Sequence, residues 1–105
     1  MTRALTPPVF RFLIKPPLEN PELIEQLAKN LGQHNAHFAR ADRAELYHRE
    51  RDGHYVVVAT RKESLAQVFR TIIQTGLTLG GAHFPDTEPG KNVFVTPYQL
   101  AARLS

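Results

Sequence analysis

The sequence predicts an α+β domain, an antiparallel sheet with helices packed on one of its faces. Three observations predict it. Two segments, Leu23 to Leu31 and Leu65 to Ile73, repeat apolar residues at helical spacing. Short runs rich in β-branched and aromatic residues stand before, between and after them. Each helical segment is closed by a glycine, Gly32 or Gly76, before the chain turns back toward an extended run. With 105 residues, of which 42% are hydrophobic, the chain holds one modest core, so residues 1–105 are expected to form a single domain.

Taken in order, residues 1–8 end in Pro7-Pro8 and read as a loose N-terminal arm. Val9 to Lys15 is a strand bounded by proline pairs, with Phe10, Phe12 and Ile14 on one side and Val9, Arg11, Leu13 and Lys15 on the other. Asn20-Pro21-Glu22 starts a helix: a capping amide, a proline in the first turn and an acid near the positive end of the dipole. Leu23, Ile24, Leu27, Ala28 and Leu31 form its apolar stripe, and Gly32 closes it.

From His37 to Arg61 the pattern predicts a hairpin. Arg51-Asp52-Gly53-His54 carries the Asp-Gly pair favoured in a two-residue type I′ turn, where both central residues need positive φ. That turn sets Arg49 opposite Val56, His48 opposite Val57, Tyr47 opposite Val58 and Glu50 opposite Tyr55. One face collects Tyr47, Arg49, Arg51, His54, Val56 and Val58; the other, with Leu46, His48, Tyr55 and Val57, is expected to meet the helices.

Thr60-Arg61-Lys62-Glu63 fits a capping box for the second helix, whose stripe is Leu65, Val68, Phe69, Ile72 and Ile73, with Gly76 at its end. Leu77 to Phe84 is a strand interrupted by Gly80-Gly81, a pair that marks a bulge or a close approach of backbones. Pro85 to Lys91 is a turn and Asn92 to Val95 a short strand. Thr96-Pro97 opens a last helix with Tyr98, Leu100, Ala101 and Leu104. The order β-α-β-β-α-β over residues 9–84 resembles the ferredoxin-like sandwich, with a C-terminal strand and short helix added. That resemblance is one of topology. It implies an antiparallel sheet with two helices on one face and the other face open to a partner. The segment Thr96, Leu100, Ala101, Leu104 is also similar to the first helix of a helix-turn-helix, but without a recognition helix in the sequence it is expected to be an amphipathic closing helix that docks on the sheet or on a second subunit.

Composition narrows the function. There is no cysteine, hence no disulfide, thiolate nucleophile or Cys-based zinc site, and a cytoplasmic home is expected. No apolar run approaches the roughly 20 residues of a membrane helix, and the N-terminus lacks the apolar core of a signal peptide; no membrane partner is expected. No phosphate-cradling glycine motif is present, and Ser64 and Ser105 are the only serines, so serine nucleophile chemistry has no seat. His34-Asn35-Ala36-His37 lacks a third ligand, so neither metal nor cofactor is expected.

Net charge is +3, and nine of the 13 basic residues are arginine. The richest stretch, Arg40 to Asp52, is balanced by Asp42, Glu45, Glu50 and Asp52. The reading that follows is a small non-enzymatic binding or regulatory module, homodimeric or docked on another protein through its open sheet face. Arg11, Tyr47, Arg49, Arg51, His54, Val56 and Val58 are the expected contacts. One alternative is an RNA- or DNA-binding domain using the same basic face. A second is a small dimeric α+β-barrel enzyme with proton-handling residues His48, Glu50 and Tyr55 on the hairpin.

Overall fold

A computed structural model describes residues 9–15, 21–34, 36–40, 55–86 and 91–104. Among these residues the chain is α+β, with a five-stranded antiparallel sheet and three α-helices. The strands are β1 (Phe10–Ile14), β2 (Ala36–Arg40), β3 (Tyr55–Ala59), β4 (Leu79–Pro85) and β5 (Asn92–Val95), in the spatial order β2-β3-β1-β4-β5. The α-helices are α1 (Pro21–Gly32), α2 (Leu65–Gln74) and α3 (Pro97–Leu104), and a 3₁₀ turn, Lys62–Ser64, leads into α2.

All three helices contribute buried apolar residues to one core, although Ala28 of the expected α1 stripe is exposed. Leu27 and Leu31 of α1, Val68, Phe69 and Ile72 of α2, and Leu100 of α3 meet Phe10, Phe12, Ile14, Val57 and Ala59 of the central strands there. The alternation Phe10, Phe12, Ile14 therefore faces the helices, as its period of two requires. Phe84 of β4 wedges between two rings of β1, edge-on to Phe10 at 5.3 Å and to Phe12 at 5.5 Å. Each such ring contributes roughly 1.5–3 kcal/mol through burial, and the edge-on geometry adds a little more.

The helix ends show how local sequence sets the boundaries. At α2, Gly76 adopts φ 88°; its N–H donates to the Ile73 carbonyl at 3.0 Å, and the Leu77 N–H donates to Ile72 at 3.4 Å. These two bonds make a Schellman closure, with Leu77 folded back on the core. At α3 the Thr96 hydroxyl accepts from the Gln99 N–H at 3.2 Å, while the Gln99 side-chain oxygen accepts from the Thr96 N–H at 3.0 Å. That reciprocal pair is a capping box with glutamine in the fourth position. The start of α2 lies later than the sequence suggests. Arg61, with no side-chain cap bond, precedes the 3₁₀ turn, and the α-helix proper begins at Leu65. Ile73, expected in the α2 stripe, is exposed.

Two features of the sheet correct or sharpen the sequence reading. The strand paired with β3 is Ala36–Arg40, with Ala39 opposite Val56, Phe38 opposite Val57 and His37 opposite Val58. The expected register, with Arg49, His48 and Tyr47 opposite those valines and Glu50 opposite Tyr55, is replaced. Tyr55 pairs with Arg40, and its ring stacks on Phe38 at 5.3 Å, nearly parallel. The Asp-Gly signal is local, whereas Phe38 supplies a large apolar surface that the helix side of the sheet can bury. Residues 41–54, including the Asp-Gly turn, lie outside the described residues.

The second feature is the Gly80-Gly81 pair. Leu13 pairs with Gly81 but Ile14 pairs with Leu79, so Gly80 is the extra residue of a bulge. Gly81 has φ 117°, and a Cβ there would lie 2.5 Å from Cζ of Phe94. Both readings of the pair, bulge and close approach, apply.

Candidate functional site

The sequence places the docking surface on the sheet face away from the helices. The register aligns one row of residues across all five strands there: His37, Val58, Arg11, His83 and Phe94. The next row runs Ala39, Val56, Leu13 and Gly81. Leu13, Val56 and Val58 form a second, smaller apolar cluster, with Val9 and Phe94 packed against it. Their exposure is low: 0% for Leu13 and Val56, 8% for Val58. The aliphatic centre of this face is thus enclosed, and Val56 and Val58 act in the structure as packing residues.

Around that centre stand polar groups of differing access. Arg11 is half-buried, its Nε shielded from solvent. His83 is only 4% exposed, beneath a tilted contact with the Phe94 ring at 5.4 Å. His37 is exposed. Of the expected contacts, Arg11, Val56 and Val58 share this face; Tyr47, Arg49, Arg51 and His54 lie outside the described residues. So do His48 and Glu50 of the proton-handling trio, while Tyr55 faces the helix-side core and packs there with Phe38.

Sequence reasoning missed a groove on the other side of the sheet. Its volume is about 570 Å³, within the range of ligand pockets. Phe10, Phe84, Val93 and Val95 form its strand wall, and Leu65 and Leu104 its helical wall. Lys62, Arg103 and Asp86 bring charge to it. These residues come from six separate elements and the β4–β5 connection and are gathered by α3 folding back over β4, so no local spacing announces them. The one sequence signal is the amphipathic last helix, which must cover something.

Among the described strands β5 is the outer one on this side of the sheet, and Val93 on it is 43% exposed. Among the described residues no three His, Cys, Asp or Glu side chains gather as a metal-binding group, and no helix is long and apolar enough to cross a membrane. Comparison with known proteins finds no matching family model, no matching curated protein and no matching solved structure.

Proposed function

We propose that this chain is a small non-enzymatic binding module of the cytoplasm, acting by protein–protein contact, and that its partner is a second copy paired along β5. The ferredoxin-like reading belongs to the same proposal. It is supported by β1 lying between β3 and β4, with one helix after β1 and another after β3; β5 extends the arrangement beyond β4.

One observation carries the pairing, the contrast between the two sheet edges. The sequence of β2, Ala-His-Phe-Ala-Arg, includes a basic residue, and a charged residue in an edge strand discourages strand addition. β5 reads Asn-Val-Phe-Val, with neither charge nor proline between Asn92 and Val95, and it leaves Val93 exposed. An antiparallel strand laid against its own copy about a two-fold axis is self-complementary, so the association closes at two chains. The enclosed centre of the opposite face, by contrast, offers little free apolar surface.

Light scattering and sedimentation equilibrium on the full chain test this. A dimer is expected, with Val93→Lys shifting it to monomer while the circular dichroism spectrum is retained. A chain that stays monomeric up to millimolar concentration overturns the proposal. So does a dimer that Val93→Lys leaves intact; if the double substitution Tyr47→Ala, Arg49→Ala then dissolves it, the interface lies at residues 41–54 instead.

A further inference from the structure

The groove beside β5 has a composition of its own. Its walls are apolar side chains from both layers of the domain: Phe10, Phe84, Val93 and Val95 below, Leu65 and Leu104 above. Two exposed cations stand on the helical wall. Lys62 belongs to the 3₁₀ turn that precedes α2, and Arg103 to the last turn of α3. They come from distant parts of the chain and converge on one cavity. Among the described residues Asp86 is the one acid lining it, and it sits where its N–H donates to the Lys91 carbonyl at 2.9 Å, closing the connection between β4 and β5. The described part of the lining therefore carries two positive charges against one negative.

From this charge balance and apolar wall we infer that the groove binds a small amphiphile with an apolar body and a single carboxylate head. An apolar body removes the exposed surface of Val93 and Leu104 from water, and a carboxylate meets the Lys62 ammonium and the Arg103 guanidinium, whose planar fork matches a carboxylate in bidentate fashion. A cationic amphiphile of equal length would place like charge against both groups and, among the described lining residues, have only Asp86 to meet. A neutral one would keep the apolar contact and lose the charge-assisted bonds. The pairing along β5 uses the backbone edge of that strand and the groove uses its side chains, with Val93 bordering both; the head-group comparison on the unaltered chain therefore tests the groove separately from the pairing.

The test is a titration of the isotopically labelled full chain, followed by amide chemical shifts, with decanoate, 1-decanol and decyltrimethylammonium, each below its micellar concentration. Decanoate is expected to shift Leu65, Val93, Val95 and Leu104 in a saturable way, at least tenfold more tightly than decyltrimethylammonium, with decanol between them. Lys62→Glu with Arg103→Glu is expected to remove that preference; both side chains are exposed, so the fold should tolerate the change. Equal affinity for the anionic and cationic probes, or shifts confined to residues away from the groove, overturns the inference. The comparison of head groups is made on the unaltered chain, so it stands even where the double variant folds poorly.

Discussion

The ring of Phe94 occupies the space in which Gly81 would carry a side chain. A Cβ built on Gly81 falls 2.5 Å from Cζ and 2.6 Å from Cε1 of Phe94, and 2.9 Å from the Val95 carbonyl oxygen. The residue is also at φ 117°, where L side chains are strained. An aromatic ring laid over a glycine on the neighbouring strand covers backbone that would otherwise lose its packing.

Gly81→Ala is therefore expected to destabilise the domain by about 2–4 kcal/mol, combining backbone strain with overpacking. In a double-mutant cycle with Phe94→Ala the two losses should not add, because removing the ring relieves the steric part and leaves the strain. Urea denaturation of the four proteins measures this; strictly additive losses would show that the ring yields without cost.

The two helix-closing glycines are expected to behave oppositely. Gly76 holds φ 88° with nothing within 4 Å of a built Cβ, so Gly76→Ala exposes the backbone term alone, about 1–2 kcal/mol of destabilisation. Gly32 is not at positive φ and has equal space, so Gly32→Ala should be neutral or stabilising by about 0.5–1 kcal/mol. Thermal unfolding of both variants separates the cases, and equal shifts would contradict the closure described for α2.

Leu13→Ala is expected to cost about 2–5 kcal/mol, the usual range for a buried leucine, although Leu13 lies on the face away from the helices. A loss under about 0.5 kcal/mol, typical of surface positions, would mean that this face is open after all.

The capping box of α3 gives a smaller expected effect. Thr96→Ala should cost about 1 kcal/mol and loosen the last helix, while Gln99→Ala, which leaves the hydroxyl acceptor in place, should cost less. Amide hydrogen exchange at Gln99 and Leu100 reports it directly. Equal protection in both variants and the wild type would remove the cap from the account of α3.

Most of the architecture is legible in the sequence because alternation and capping are local. The β1 pattern assigns Phe10, Phe12 and Ile14 to the helices, Pro21 and Gly32 bound α1, and Asn92 to Val95 delimits β5 without error. The β3 alternation likewise puts Tyr55, Val57 and Ala59 on the helix side and Val56 and Val58 opposite. What fails is pairing at a distance. Fourteen residues, 41–54, separate β2 from β3, and a turn dipeptide close to one strand says nothing about a partner beyond it.

The candidate sites were less legible for a related reason. Alternation states which face Val56 occupies, but not that the face is enclosed, since coverage depends on parts of the chain remote in sequence. The groove is harder still: Lys62, Asp86, Val93 and Arg103 share no period and no spacing, and only the return of α3 across the sheet brings them together.

The central place of β1 has a kinetic consequence. Phe12 must find Val57 and Ala82, partners tens of residues away in the chain, so the middle of the sheet cannot be finished until β4 has been synthesised. Loop-closure entropy is spent before those pairings return anything, which sets refolding toward the millisecond-to-second range of non-local topologies. A nascent chain halted before β4 would hold its phenylalanines without their neighbours, in the state most open to aggregation.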